Sequence, residues 1–296
     1  MTTTHTLRAI TALAITTLTA FATQPARADA TLDKIKQRGK VAIGVLVNGG
    51  PFGSIDPATQ QLVGWNPELA RDLAKRLGVE AELVQVNPSN RVQFLQQGRV
   101  DLLIASMEYN ADRGELLSYA PTPFYRGGGT AAVLKTSGIH QWEDLRGKVA
   151  CVSQGSNFAK PLAEKYGAIV KGLRGIPESL LALKGGTCAA SVHIQPALYQ
   201  TLSGPSKAEW TAFTLATDDQ LIPSPTVVWT RRGEQDTVAF VDKAIRDWHR
   251  SGFLLNVARK SGVPDGAYIR PAHDHAKQGK FDVAPQDFAV YTEGRS

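Results

Sequence analysis

The feature that most limits what this chain can fold into is an alternation of short apolar runs with segments of helical periodicity. Lys40–Val47 (KVAIGVLV), Val79–Val86 and Val100–Ser106 are apolar stretches of strand length bounded by turn residues, which read as strands. Between the first two, Asn66-Pro67-Glu68 supplies an N-cap, a proline at the first helical position and an early acid. Leu69, Leu73 and Leu77 then recur at helical spacing up to Gly78. Asn90–Gln97 reads as a short helix ended by Gly98. A second series begins near Thr130. Lys148–Ser153 (KVACVS) is a strand, Gly155-Ser156-Asn157 opens a helix through Tyr166, and Leu180, Leu181 and Leu183 lie on a helix after Pro177. Strands Cys188–Val192 and Thr226–Thr230 follow. A helix capped by Asp236 buries Val238, Val241, Ile245 and Trp248, and a last helix, Leu254–Lys260, stops at Gly262. The alternation predicts α/β layers with mainly parallel strands.

With 296 residues, 43% hydrophobic and 20% charged, the chain has the proportions of an ordinary globular protein with room for about two cores. Its net charge is +6, but the basic residues are scattered, so nothing points to nucleic acid. Residues 1–30 read as a secretory signal peptide: Arg8, the weakly apolar stretch Ala9–Ala22, a break at Gln24-Pro25, then small residues at Ala26, Ala28 and Ala30. Cleavage is expected after Ala28 or after Ala30, and an exported, periplasmic protein follows. In an oxidising compartment Cys151 and Cys188 either pair or are buried as thiols.

Gly127-Gly128-Gly129 and Ile222-Pro223-Ser224-Pro225 look like hinge segments between lobes. The glycine triplet is no phosphate loop, because no Gly-Lys-Ser/Thr follows. From Pro264 the sequence mixes polar residues with Pro and Gly, and reads as a surface-wrapping or mobile tail, 264–296.

The order of several motifs resembles the periplasmic amino-acid-binding proteins of ABC transporters, the bacterial extracellular solute-binding proteins of family 3. They are Pro51-Phe52-Gly53, Gly64-Trp65-Asn66-Pro67-Glu68-Leu69-Ala70, Gly98-Arg99-Val100-Asp101, Arg113, Pro123-Phe124-Tyr125, Asp144-Leu145-Arg146-Gly147-Lys148, Gly155-Ser156, and Ala258-Arg259-Lys260-Ser261-Gly262-Val263. The resemblance spans about residues 31–263. It implies an α/β, two-lobed periplasmic binding protein fold, with two α/β lobes joined by two hinge strands that close over a small ligand. Lobe 1 would comprise 31–127 and 227–263, and lobe 2 130–222. It implies a monomer that takes an amino acid or related small carboxylate and docks on an ABC permease in the inner membrane. No cofactor is implied.

By the same resemblance, Arg113 stands where the family holds a ligand α-carboxylate, and a guanidinium fork suits that task. Gly155, Ser156 and Asn157 sit at a strand-to-helix turn, where unsatisfied N–H groups favour a carboxylate. Ser106, at the end of a strand, offers a hydroxyl or carbonyl contact. Arg91, after Asn90, resembles the Asn-Arg pair of the acidic-amino-acid branch, and Phe52 forms an apolar wall or packs in the core.

Three positions depart from the family pattern. Glu108 replaces a Ser or Thr five residues before Arg113, His193 stands where an Asp usually meets the ammonium group, and Gly49 replaces an aromatic. Glu108 then either takes over the ammonium or neutralises Arg91 or Arg113, in which case the ligand lacks an amine. A dehydratase-like enzyme on the same fold, with Glu108 and His193 as acid and base, and a soluble sensor for a membrane receptor are the competing functions. His273 and His275 provide two of the ligands a metal needs and no third, so no metal site is expected.

Overall fold

The computed structural model describes residues 29–47, 50–204 and 207–282. The expected signal peptide up to residue 28, Gly49, and the tail from residue 283 lie outside the described residues.

Two mixed sheets with flanking helices build two α/β lobes. The first sheet has the order Glu80–Val86, Lys40–Leu46, Leu102–Ile104, Trp229–Arg231, Leu117–Tyr119. Its first three strands are parallel, and Trp229–Arg231 is antiparallel to both neighbours. The second sheet runs Phe213–Leu215, Tyr125–Leu134, Ala190–Ile194, Val149–Ser153, Ile169–Leu173, with Leu221–Thr226 also paired to Tyr125–Leu134. Here Ala190–Ile194, Val149–Ser153 and Ile169–Leu173 are parallel, while the partners of Tyr125–Leu134 are antiparallel. The parallel reading therefore holds within the βαβ units and fails at the strands through which the chain passes between lobes.

Helix Trp65–Leu77 shows how the first core forms. Trp65, Leu69 and Leu73 lie on one face, are fully buried, and pack in one cluster with Val41, Ile43 and Val45 of the neighbouring strand. Each such side chain contributes about 1.5–3 kcal/mol of burial energy. The helix starts at Trp65, with Gly64 in the N-cap position. Asn66 is therefore no cap, and its side chain is free for the site described below. Helix Gln235–Ser251 likewise begins before Asp236. Its early N–H is taken by Asp29, whose carboxylate accepts from Thr237 N at 2.8 Å and Thr237 Oγ1 at 2.7 Å.

The two connecting strands pair with each other. Ser224 lies opposite Gly127, Pro225 opposite Arg126 and Thr226 opposite Tyr125. None of the three glycines has a positive φ, and crowding explains them better than turning does. A Cβ on Gly128 would lie 2.7 Å from Gln220 Cβ and 2.8 Å from Leu221 O, and one on Gly129 would lie 3.0 Å from the Phe158 ring. The expected strand Thr226–Thr230 is broken. Val227 and Val228 are buried as the chain leaves the second sheet, and pairing resumes at Trp229 in the first.

Within the expected tail, Ile269–Lys277 is a helix packed on Gln235–Ser251. Tyr268 Oη donates to Pro123 O at 3.1 Å, and His249 Nε2 lies 2.8 Å from the same carbonyl. His273 Nδ1 is 2.6 Å from His249 O, which ties it to this packing. Among the described residues, no group of three or more His, Cys, Asp or Glu is placed to hold a metal, and no helix is long and apolar enough to cross a membrane.

Cys151 and Cys188 are joined, with Cα atoms 5.9 Å apart, so the second lobe is stapled across a separation of 37 residues. Closing a loop of that length should stabilise the fold by about 3–4 kcal/mol. Denatured, unreduced protein should show no reactive thiol. The double variant Cys151→Ser/Cys188→Ser should lose that stability in denaturant unfolding, and two free thiols in the unreduced protein would refute the bridge.

Candidate functional site

The cleft between the lobes is built from a rigid loop, a strand end, a hinge contact and a turn. In the loop, Asn87 Oδ1 accepts from Ser89 N and Asn90 N, both at 3.0 Å, and Asn90 Oδ1 accepts from Asn87 N at 2.9 Å. This reciprocal lock starts helix Arg91–Gln96 with the Arg91 side chain turned inward. Arg91 is 3% exposed. Its Nη1 donates to Ala105 O at 2.9 Å, and its Nε has no partner among the described residues.

Strand Leu102–Ile104 runs into Ser106, whose φ of +46° is in the left-handed region. For a residue with a Cβ that conformation costs of order 1–3 kcal/mol and persists only where the surroundings hold it. The holding group is Asn66, which donates Nδ2 to Ser106 Oγ at 3.0 Å and accepts from it at 3.2 Å. Two residues on, Glu108 bridges to Thr226 of the hinge strand, and Tyr109 N donates to Pro225 O at 2.8 Å. The hinge strand thus fixes Glu108.

Arg113 lies in helix Ala111–Leu116, capped by Asn110 Oδ1, which accepts from Arg113 N at 2.9 Å. Its Nη1 donates to Glu108 O at 2.7 Å and lies 3.7 Å from Glu108 Oε2. Its Nη2 donates to Gly155 O at 3.1 Å, across the cleft. Gly155 itself has φ +75°, and a Cβ there would meet Pro88 O at 2.4 Å, so only glycine permits this approach of the two lobes.

These groups converge. A cavity of about 50 Å³ is lined by Phe52, Arg91, Ser106 and Glu108 from one side and by Ser156, Asn157 and His193 from the other. Arg113 and Gly155 line an adjoining outer cleft of about 900 Å³ together with Ser156 and Asn157. The nine residues expected to bind ligand, Phe52, Arg91, Ser106, Glu108, Arg113, Gly155, Ser156, Asn157 and His193, therefore lie at this junction. Two details differ from expectation. The helix after the turn begins at Ala159, and Ser156 N is already bonded to Ser153 O at 3.0 Å, so this N–H does not face the cleft freely. Ser106 commits its hydroxyl to Asn66. Ser153, Pro88 and Phe158 also line the cavity, and sequence reasoning missed them. The Asn87-Pro88-Ser89-Asn90 turn was the one available signal for Pro88.

The electrostatics are dominated by desolvation. Burial pushes the Arg91 guanidinium down to about 9, helped by repulsion from Arg113 and opposed by Glu108, so it stays charged at neutral pH. Burial also lowers Arg113, against the pull of Glu108. Burial alone pushes His193 down to about 3, so its imidazole is neutral. Its Nε2 and the Asn157 Nδ2 have no partner among the described residues. Three unpartnered polar atoms, on Arg91, Asn157 and His193, thus surround one cavity. Buried polar groups are otherwise almost always paired.

Residues 41–262 match the bacterial extracellular solute-binding proteins, family 3. The chain belongs to that family. Among its relatives, the L-cystine-binding protein TcyJ of Escherichia coli is 28% identical over 77% of this chain and 85% of that protein. The glutamine-binding protein of Geobacillus stearothermophilus is 30% identical over 53% of this chain and 61% of its own length. The fold is shared with the cysteine-binding protein of Campylobacter jejuni at a TM-score of 0.73 and 24% identity, over 81% of this chain and 97% of that one. It is shared too with the ancestral amino-acid-binding protein AncCDT-1, a precursor of cyclohexadienyl dehydratase, at a TM-score of 0.67 and 23% identity over 78% and 98%.

The burial of His193 makes a pH dependence. An exposed imidazole titrates near 6.5, whereas this one stays neutral down to about 3. Below about 6.5 the unfolded chain takes up a proton that the folded site refuses. The stabilisation is therefore complete above that pH and declines as pH falls, by about 2 kcal/mol between pH 7 and pH 5. His193→Gln should lose about 2 kcal/mol less than the parent over that interval in denaturant titrations. Equal losses would mean that His193 is not held neutral by burial.

Proposed function

We propose that this family member is the substrate-binding component of an ABC importer and that it binds an amino acid or related small carboxylate in the cleft between its lobes. The single observation that carries this reading is the cluster of unpartnered buried groups, Arg91 Nε, Asn157 Nδ2 and His193 Nε2, on one interlobe cavity beside Arg113. Guanidinium and amide donors converging on one point suit the oxygens of a carboxylate. Lobe 1 is residues 31–127 with 227–263, lobe 2 is 130–222, and helix Ile269–Lys277 of the C-terminal segment 264–296 packs on lobe 1. Small-molecule sites usually have roughly 300–1,000 Å³, and the inner part of the cleft, where Arg91 and His193 lie, has about 50 Å³. A ligand that reaches Arg91 and His193 from the outer cleft therefore needs the lobes to part at the paired hinge strands.

In this reading Arg113, Arg91, Asn157, Ser156, His193 and Glu108 contact the ligand. Phe52 and the backbone of Gly155 shape the walls, and Ser106 positions its neighbours. The loaded form docks as a monomer on an inner-membrane permease. A dehydratase-type enzyme is the second reading, because Glu108 and His193 face the same cavity. Conversion of a bound ligand to product would favour it.

Thermal unfolding against L-amino acids and their deaminated counterparts tests the binding reading. A ligand at about 100 times its dissociation constant adds roughly 2.7 kcal/mol. Arg113→Ala should weaken any such ligand by about 2–5 kcal/mol, roughly thirtyfold or more. No shift with any compound, or full affinity in the variant, would reject it.

Export follows from the signal-like first residues, and Asp29 distinguishes the two cleavage positions. Its carboxylate caps helix Gln235–Ser251, and its backbone N lies 3.2 Å from Asp236 Oδ2. Cleavage after Ala28 keeps this cap, whereas cleavage after Ala30 removes it. Mass spectrometry of the exported protein should find a chain beginning at Asp29, and a chain beginning at Thr31 would contradict the assignment.

A further inference from the structure

The charge of the ligand can be read from the side chains that close around it. The ionisable groups lining the inner cavity are Arg91, Glu108 and His193, and Arg113 adjoins them through Glu108. Arg113 and Glu108 lie 3.7 Å apart, both almost fully buried, so their charges cancel within the cleft. Asp112, on the same helix as Arg113, is exposed and screened by water. His193 contributes a neutral imidazole. To the inner cavity the second lobe otherwise presents Ser153, Ser156 and Asn157, which carry no charge; Lys160, Glu164 and Lys165 line only the outer cleft, where they are exposed and screened by water.

Arg91 is left over. It is buried, its hydrogen-bond partner among the described residues is one carbonyl oxygen, and the acid that lines its cavity already serves Arg113. An isolated buried cation is costly unless a counter-charge comes with the closure. From this juxtaposition of two buried arginines, one buried glutamate and one buried histidine, we propose that the ligand carries a net charge of −1.

The proposal rests on the reading of this cleft as a ligand site and narrows it. A zwitterion with a second carboxylate and a plain monocarboxylate both carry −1. A neutral zwitterion leaves Arg91 uncompensated, a cationic amino acid adds to the excess, and a dicarboxylate overshoots. The unpartnered Asn157 Nδ2 and Arg91 Nε are donors, which suits a ligand whose inner end bears oxygen acceptors.

Isothermal titration of the full mature chain with five probes of similar length tests this. They are L-glutamate (−1), glutaramate (−1, no amine), L-glutamine (0), L-arginine (+1) and glutarate (−2). One or both of the −1 probes should bind at least tenfold more tightly than the other three. L-Glutamate alone would assign Glu108 to the ammonium, whereas glutaramate alone or both would show that no amine is needed, and either result supports the charge rule. Glu108→Gln should move the preference at least tenfold toward glutarate, and Arg91→Gln toward L-glutamine, with circular dichroism confirming that each variant is folded. Tightest binding of L-glutamine, L-arginine or glutarate to the parent would overturn the charge rule while leaving the solute-binding reading intact. Binding of none of the five, nor of any amino acid or carboxylate, would overturn both.

Discussion

Arg113 holds the two lobes together at the cleft. One arm of its guanidinium bonds the Glu108 carbonyl beside the hinge, and the other bonds the Gly155 carbonyl of the opposite lobe. Both bonds are charge-assisted, the first buried and the second partly buried, which makes them stronger than neutral ones and costly to leave unmade. The arrangement depends on the Asn110 cap that starts its helix, on the absence of a Cβ at Gly155, and on the hinge strand that fixes Glu108. A fork that already spans the cleft can exchange a carbonyl for a carboxylate oxygen with little rearrangement, which is why the proposed ligand reading assigns the same residue to closure and recognition.

Around that fork the site combines rigidity with deliberate under-satisfaction. The locked Asn87–Asn90 turn and the Asn66–Ser106 pair hold backbone that would otherwise relax. Against this fixed frame, Arg91, Asn157 and His193 each retain an atom without a partner among the described residues. Folds give up hydrogen bonds of this kind where function needs them. Burial keeps the His193 imidazole uncharged, so the second lobe lines the inner cavity with uncharged groups.

Much of this was legible in the sequence because local and global signals agree. Leu69 and Leu73 at helical spacing, and Val41, Ile43 and Val45 at strand spacing, report the first core directly. Arg91 and Arg113 were recognisable by their place in motifs. Other features depend on neighbours that are remote in sequence. Asn66 looks like a cap until Ser106, forty residues away, is seen to claim its side chain. The Gly127–Gly129 run reads as flexibility, and only the positions of Leu221 and Phe158 reveal it as close packing. The helix Ile269–Lys277 was missed because two of its polar-looking residues, His273 and His275, conceal an apolar face of Ile269, Ala272 and Ala276.

The connectivity of the two sheets also fixes an order of assembly. All strands of the second sheet come from one continuous stretch, residues 125–226, and its disulfide closes within that stretch. The first sheet is interrupted: Trp229–Arg231 must insert between Leu102–Ile104 and Leu117–Tyr119, which have no pairing with each other. A chain that is delivered from its N-terminus can therefore complete its second lobe while the first still waits with an open seam at its centre. Contacts of such long sequence separation form slowly. The lobe that begins first thus cannot close before Trp229–Arg231 has arrived, and until then Leu102–Ile104 and Leu117–Tyr119 present unpaired edges open to wrong partners.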